Sequence, residues 1–277
     1  MTDIGLILEG GGMRGAYTAG ALDYLLDAKL EFSKVYGVSA GVCHACSYIS
    51  KQRGRAIEAV MISLGNWKYG TVRSLLVTGD FFHVRYLYEN LPKSILPFDY
   101  DVFENSKQSL IAVVTNVSTG EAEYHKVSDD MKWIRASASL PLISRLVSIG
   151  GTPYLDGGVS DPVPLEHSIK EGNKKNVMIL TRHSGYRKTP SDSRIMKLKY
   201  RKHPGFIEKC LVRHQIYNDS LDLALKEEMA GNALIIRPEE EVKIGRLEKN
   251  KDKLQALYES GYQDAKRCIE SNKEFFE

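Results

Sequence analysis

The feature that most restricts the fold of this chain is a serine between two glycines, placed where an apolar run gives way to a helical pattern. Ser39 stands at the centre of a Gly-x-Ser-x-Gly sequence that begins at Gly37 and ends at Gly41. Between a strand and a helix, this sequence forms a turn so sharp that the serine hydroxyl is exposed above the sheet. The following helix also points its positive N-terminus at that hydroxyl. The pattern predicts a strained backbone at Ser39 and a nucleophilic role for its side chain.

Short apolar runs alternate with helical patterns along most of the chain. The apolar runs are typical of buried strands and cover residues 4–8, 35–38, 110–114, 177–180 and 234–236. Helical periodicity follows the first two runs, over residues 14–28 and 40–52, and residues 121–127 are expected to form a hairpin with the preceding strand. This alternation predicts a layered α/β fold with a largely parallel central sheet. From Leu247 to Ile269, apolar residues recur at three-to-four spacing, which predicts a docking helix.

A glycine-rich turn, Gly10–Gly15, follows the first apolar run and has two interpretations. It matches the Gly-x-Gly-x-x-Gly pattern of dinucleotide-binding turns, for which Asp27 or Glu31 would bind the ribose. Alternatively, successive glycines turn their N–H groups toward one point and stabilise the oxyanion of an acyl intermediate. The second interpretation is favoured because neighbouring parallel strands would bring this turn and Ser39 to the same edge of the sheet.

A nucleophilic serine needs a base, and Asp156 is the main candidate. It precedes Gly157 and Gly158, which allow a tight loop in which the carboxylate reaches Ser39, although Asp-Gly-Gly is also a common turn. An exposed aspartate has a pKa of about 3.9 and is a weak base, so burial would be needed to raise its pKa. A Ser-Asp-His triad is the rival arrangement, and its base would be one of the histidines that follow: His167, His183, His203 or His214.

Charge and composition bear on partners and location. The net charge of +3 gives no argument for nucleic acid, but residues 182–213 hold ten Lys and Arg against two Asp and Glu. This stretch is a candidate for contact with the phosphate headgroups of an anionic membrane, with a solvated surface as the alternative. The aromatic-rich residues 66–104 are candidates for lining an acyl pocket or meeting a lipid surface, with ordinary packing as the alternative. No signal peptide or membrane span is apparent, which predicts a cytoplasmic protein that touches membranes only peripherally. Cys43 and Cys46 lie in a helical run and are expected to be buried thiols.

The three motifs together resemble one family, the patatin-like phospholipases. The family pairs a glycine turn of the type seen at Gly10–Gly15, a Gly-x-Ser-x-Gly nucleophile and an Asp-Gly-Gly or Asp-Gly-Ala base, all in the order found here. The segment 138–141 also resembles a family segment. The resemblance covers about residues 4–180. It implies a catalytic dyad of Ser39 and Asp156, with no histidine, no metal and no cofactor.

The resemblance carries further expectations about the site and the domains. The backbone of Gly11, Gly12 and Arg14 would form the oxyanion hole. The fold would be the three-layer α/β/α patatin-like fold, with a catalytic domain over residues 1–180 and a C-terminal helical extension over residues 181–277 packed on it. The implied activity is that of a carboxylic ester hydrolase acting on lipid esters through an acyl-enzyme. A triad esterase, a nucleotide-binding module and a lipid-binding protein with an inactive site remain as alternatives.

Overall fold

The computed structural model describes residues 2–64, 70–128 and 131–277. In that part of the chain, a mixed sheet of eight strands carries helices on both faces. The strands are β1 (Thr2–Leu8), β2 (Phe32–Val38), β3 (Ser109–Asn116), β4 (Ala122–Lys126), β5 (Val147–Ile149), β6 (Thr152–Asp156), β7 (Lys175–Ile179) and β8 (Ala233–Ile236). The α-helices are α1 (Gly15–Asp27), α2 (Ala40–Ile49), α3 (Arg55–Leu64), α4 (Val72–Thr78), α5 (Tyr100–Glu104), α6 (Lys132–Ser137), α7 (Leu165–Lys170), α8 (Arg194–Lys199), α9 (Pro204–Met229) and α10 (Lys251–Ser271).

The strand order is β5-β6-β3-β2-β1-β7-β8, and β4 also pairs with β3. The five neighbouring strands β3, β2, β1, β7 and β8 run parallel to one another, whereas β4, β5 and β6 are antiparallel to their partners. The predicted parallel sheet and the predicted β3–β4 hairpin are both confirmed. Because β1 and β2 are parallel neighbours, the turns that follow them meet at one edge of the sheet.

Two hydrophobic cores lie on opposite faces of the sheet. In β1, Leu6 and Leu8 contact the core formed with α1, α2, α3 and α10, whereas Ile7 contacts the core formed with α7 and α9. This division follows from the alternation of side chains along a strand. The result is three layers, with helices covering both faces, as expected for a parallel sheet whose strands are buried on each side.

The region after residue 180 packs against the same central sheet. It adds β8 to the edge of the sheet and sends α9 and α10 to opposite faces. Helix α10 lies so close to α1 that a Cβ on Gly261 would come 2.0 Å from the Tyr17 carbonyl oxygen. The Asn250 side chain caps α10 by accepting a 3.0 Å hydrogen bond from the N–H of Lys253, so the predicted docking helix is present but begins after Leu247. Within the described residues, no helix is both long and apolar enough to cross a lipid bilayer.

Candidate active site

Ser39 occupies a strained turn between β2 and α2. Its backbone has φ 53° and ψ −120°, a conformation that costs a residue with a side chain roughly 1–3 kcal/mol. The glycines beside it are required sterically. A Cβ on Gly37 would lie 2.5 Å from Cα of Val42, and a Cβ on Gly41 would lie 2.6 Å from the carbonyl oxygen of Leu8. The strained turn that the sequence predicts is therefore present.

The end of α6 and the loop after it hold both polar residues of the site by hydrogen bonds. The N–H of Ser39 donates to Oγ of Ser137 at 2.9 Å. The N–H of Asp156 donates to the carbonyl oxygen of Ser139 at 2.8 Å. No sequence motif assigns a role to Ser137. The one sequence feature that points to this region is the adjoining segment 138–141, which resembles a family segment.

The glycine turn after β1 leaves two backbone N–H groups available. Gly12 has φ +57°, and a Cβ there would lie 2.7 Å from the carbonyl oxygen of Arg246. The N–H groups of Gly11 and Gly12 donate to no backbone or side-chain acceptor in the described chain. In contrast, the N–H of Met13 donates to Arg246 at 3.2 Å, and that of Arg14 donates to Gly11 at 3.3 Å. Of the three N–H groups predicted for the oxyanion hole, only that of Arg14 is thus engaged.

Strand register brings Asp156 next to Ser39. Val38, which precedes Ser39, pairs with Val113, and the next residue, Val114, pairs with Asp156. Both residues thus lie at the same level of β3. The Oδ1 atom of Asp156 accepts a 2.7 Å hydrogen bond from the N–H of Gly158, whereas Oδ2 has no partner in full hydrogen-bond geometry among the described residues.

The environment of Asp156 makes its carboxylate a stronger base than an exposed one. Burial raises the pKa of this carboxyl, and this effect outweighs the opposing effects of the nearby Ser39 hydroxyl, the positive charge of Arg213 and the N–H of Gly158. An elevated pKa brings a carboxylate closer to the range that suits proton transfer near neutral pH.

A largely apolar cavity of about 270 Å³ opens beside Ser39. Its walls come from α2, α3, the loop after α6 and the aromatic-rich segment. Four aromatic side chains of that segment line it: Phe82, Tyr88, Phe98 and Tyr100. This supports the prediction that the segment lines an acyl pocket. Trp67 and Tyr69 of the same segment lie outside the described residues.

A second, smaller recess of about 50 Å³ also contains Ser39 and holds Asp156. Unlike the first, it is polar, and its basic side chains come mainly from the region after residue 180. They are Arg14, Arg182, Lys188, Arg213 and Arg246. Ser39 therefore lies at the boundary between an apolar cavity and a cationic recess.

None of the four candidate histidines is among the described residues that line either recess. His167 stacks on Tyr124 with ring centroids 3.4 Å apart, and His183 packs edge-on to Tyr186. His203 precedes α9, and His214 contacts a carbonyl on that helix. The histidine that does line the apolar cavity is His44, and burial lowers its pKa to about 4, which keeps it uncharged.

The two acidic residues that were candidates for binding a ribose make other contacts. Asp27 accepts hydrogen bonds from Arg53 and Tyr262, each at 2.8 Å, and Glu31 pairs with Lys51 at 2.7 Å. Both carboxylates are thus engaged by other side chains. In the described ranges, no three His, Cys, Asp or Glu side chains cluster as metal ligands would. Cys43 and Cys46 are free thiols on α2; Cys46 is buried as predicted, whereas Cys43 is only half-buried.

Two family models match different parts of the chain. Residues 6–169 match the family described as patatin-like phospholipase, and residues 203–277 match DUF6363, a domain of unknown function. The first match contains the glycine turn, Ser39 and Asp156. The domain boundary predicted at residue 180 falls between the two matches and stays a prediction.

Individual proteins show the same similarity. The chain is 30% identical to the uncharacterized protein YjjU of Escherichia coli strain K12, over 68% of this chain and 54% of that protein. It is 27% identical to the probable lipid hydrolase 463L of Invertebrate iridescent virus 6, over 62% of this chain and 65% of that protein. The chain thus spans about half to two thirds of the length of these relatives.

A solved structure also shares the fold. The crystal structure of VipD from Legionella pneumophila superimposes with a TM-score of 0.51 at 13% identity, over 97% of this chain and 67% of that chain. The sheet with helices on both faces agrees with this likeness, and the first family match covers more than half of the sequence. The chain therefore belongs to the patatin-like phospholipase family and has its three-layer α/β/α fold.

Proposed function

We propose that this protein hydrolyses lipid acyl esters, with Ser39 as the nucleophile and Asp156 as its base. The observation that carries the proposal is the buried Asp156 carboxylate, whose Oδ2 has no partner in full hydrogen-bond geometry among the described residues, next to the Ser39 hydroxyl. Apo sites often hold their catalytic groups slightly outside ideal hydrogen-bond geometry, which tightens when substrate binds. The family match supports the same reaction class.

The reaction proceeds in two steps with Asp156 carrying the proton. Oδ2 takes the proton of the Ser39 hydroxyl while Oγ bonds to the ester carbonyl carbon. The tetrahedral intermediate then expels the alcohol, which receives that proton. Water attacks the resulting acyl-enzyme and gives a proton to Asp156. Collapse of the second intermediate releases the fatty acid and returns the proton to Ser39.

The N–H groups of Gly11 and Gly12 stabilise the oxyanion in both steps. They are unengaged in the described chain, whereas the N–H of Arg14 already donates to Gly11. We therefore assign the oxyanion hole to the two glycines. Each such donor lowers the barrier by about 3–4 kcal/mol in well-studied acyl transfer sites.

The apolar cavity binds the acyl chain. It adjoins Ser39, and its aromatic and aliphatic lining excludes water from the chain. Each buried methylene contributes about 0.8 kcal/mol, so a cavity of this kind favours longer acyl groups. The smaller cationic recess is the second space that adjoins Ser39.

The test is hydrolysis of a panel of lipid esters by the wild type, Ser39→Ala and Asp156→Asn. We expect both variants to lose at least 100-fold in kcat while remaining folded. Matched controls are Ser193→Ala and Asp219→Asn, which make the same chemical changes outside the site. Retention of more than a tenth of the activity by Asp156→Asn, with loss in one of the four histidine-to-alanine variants, would favour the triad instead.

We further propose that an exposed apolar surface on α4 and α8 docks onto an anionic bilayer. Leu76 on α4 is 81% exposed and Leu198 on α8 is 71% exposed. The two helices flank one loop, since Arg145 pairs with Asp80 after α4, and Lys199 on α8 donates to the carbonyl oxygen of Leu142. The basic residues of α8 complement an anionic surface, and each adds about 1 kcal/mol of attraction.

Vesicle sedimentation tests this docking surface. We expect the wild type to bind vesicles containing phosphatidylglycerol more tightly than pure phosphatidylcholine vesicles. Leu76→Asp should weaken binding, whereas Met229→Asp, an equally exposed apolar residue at the end of α9, should not. Equal binding to both vesicle types, or unchanged binding of Leu76→Asp, would contradict the assignment.

A further inference from the structure

The cationic recess beside Ser39 holds far more positive than negative charge. Five basic side chains line it, whereas its acidic lining residues are Glu9 and Asp156. None of the five basic residues forms an ion pair with a carboxylate in the part of the chain that the structure describes. The recess is therefore an unbalanced cluster of charge.

The two acidic residues are occupied by other contacts. Glu9 accepts hydrogen bonds from the N–H of Thr181 at 2.5 Å, from its hydroxyl at 3.0 Å and from the Tyr217 hydroxyl at 2.8 Å. These bonds tie the ends of β1 and β7 to α9. Oδ1 of Asp156 accepts the hydrogen bond from the N–H of Gly158, and the carboxylate is the proposed base for Ser39. Neither carboxylate is thus directed at the basic side chains as an ion-pair partner.

The basic side chains are held in place rather than free in solvent. Arg14 is only 6% exposed, and its Nε has no partner in the described chain. Arg213 donates from Nε to the carbonyl oxygen of Gly158. Arg182 stacks over Tyr186 at 4.4 Å, and the Lys188 ammonium lies 4.8 Å from the Tyr217 ring centroid. These contacts fix the positions of the basic side chains around the recess.

Mutual repulsion within the cluster is visible at Lys188. Burial, followed by the charges of Arg213 and Arg246, lowers the pKa of Lys188 to about 7, although Glu9 opposes this change. Holding several cations together without a counter-ion is costly, and a bound anion would relieve that cost. The same anion would restore the charge of Lys188.

The size of the recess limits what the anion can be. On the measure by which one water needs about 10–15 Å³, a volume of about 50 Å³ holds three to five waters. This suits one tetrahedral phosphate and excludes a nucleotide or a sugar. Arginine and lysine are the side chains that bind phosphate in proteins.

We propose that the recess is a subsite for the phosphate group of an acyl ester substrate, with Lys188, Arg213 and Arg246 determining specificity. The inference rests on the proposed function, since the ester carbonyl must sit at Ser39 while the phosphate occupies the recess. Four of the five basic residues belong to the region after residue 180, and Arg213 and Arg246 lie within the DUF6363 match. The carbonyl oxygen of Arg246 also accepts the N–H of Met13, which anchors this region on the glycine turn. The C-terminal region thereby selects the headgroup.

The test compares two monomeric esters that differ only in the phosphate. The substrates are 1-decanoyl-glycerol 3-phosphate and 1-decanoyl-glycerol, both below their aggregation concentrations so that surface attraction plays no part. We expect the wild type to prefer the phosphate ester by about ten-fold or more in kcat/KM, as one or two charge-assisted hydrogen bonds would give. Lys188→Gln and Arg246→Gln should each reduce this preference about ten-fold, mainly through KM. The control Arg267→Gln removes a charge at an exposed site on α10, outside both recesses, and should leave the preference unchanged.

Binding measurements separate a headgroup site from a site for free phosphate. Inorganic phosphate and glycerol 3-phosphate are titrated calorimetrically into Ser39→Ala, which cannot turn over. Binding of glycerol 3-phosphate that is lost in Ser39→Ala/Lys188→Gln supports the subsite. Binding of inorganic phosphate by an enzyme whose ester preference is near one would overturn the headgroup assignment. If the proposed function fails, neither ester is hydrolysed, whereas failure of the subsite alone leaves both hydrolysed at similar rates.

Discussion

Replacement of Asp156 by asparagine separates the catalytic role of this residue from its structural role. Asparagine keeps the Oδ1 acceptor for the N–H of Gly158, and its amide group takes the place of Oδ2, which has no full hydrogen-bond partner in the described chain. The local structure should therefore survive. The variant loses the group positioned to take the Ser39 proton, and the loss of a general base costs 10²- to 10⁴-fold in rate, or about 3–5 kcal/mol of transition-state stabilisation.

The same variant should change the pH dependence of stability in a defined direction. The pKa of Asp156 is higher in the folded protein than in the unfolded chain because of burial. The folded state therefore binds this proton more tightly, and the ionised carboxylate lowers wild-type stability as the pH rises from the unfolded pKa through the folded one. Asparagine has no such charge. Above that range, Asp156→Asn should be more stable than the wild type by a constant amount, since the attraction of Arg213 is already part of the net pKa elevation.

Two assays measure these effects. Ester hydrolysis between pH 4 and pH 9 should show an acid limb for the wild type, displaced upward from the pKa of an exposed aspartate, and no such limb in the residual activity of Asp156→Asn. Urea unfolding over the same range should show the stability difference growing with pH and then levelling off. Near-wild-type turnover by a folded Asp156→Asn would refute the reasoning, as would a stability difference that shrinks as the pH rises.

Three further substitutions test the geometry of the site and the packing of the C-terminal helix. Gly12→Ala should lower kcat at least 100-fold and also destabilise the fold, because φ is +57° and the new Cβ would lie 2.7 Å from the carbonyl oxygen of Arg246, so the glycine turn must shift; normal ester turnover would contradict the oxyanion assignment. Ser137→Ala removes the acceptor of the Ser39 N–H and should cost about 1–3 kcal/mol in urea unfolding together with a drop in kcat. Gly261→Ala should destabilise the fold by about 2–4 kcal/mol by forcing α10 away from α1, whereas Gly245→Ala, which meets no atom within 4 Å, serves as the unstrained control.

The local motifs and the layered architecture could be predicted from the sequence because their causes are local. The turn at Ser39 depends on glycines two positions away on each side, and the parallel sheet depends on apolar runs separated by helical patterns. The α10 helix was predicted from its three-to-four spacing, although its start was not, since the Asn250 cap decides where the helix begins. Each of these features depends on residues that are close together in the chain.

Tertiary structure decided what surrounds Ser39. The glycine turn is held by Arg246, more than 200 residues away, whose carbonyl oxygen accepts the N–H of Met13. The register of β3 with both β2 and β6, rather than any motif, brings Asp156 to Ser39. The cationic recess likewise joins residues 14, 182, 188, 213 and 246. Three of these cations belong to the basic stretch 182–213 in the sequence, but Arg14 and Arg246 lie far from it. Only chain folding brings all five to one point, because side-chain proximity across elements leaves no local periodicity in the sequence.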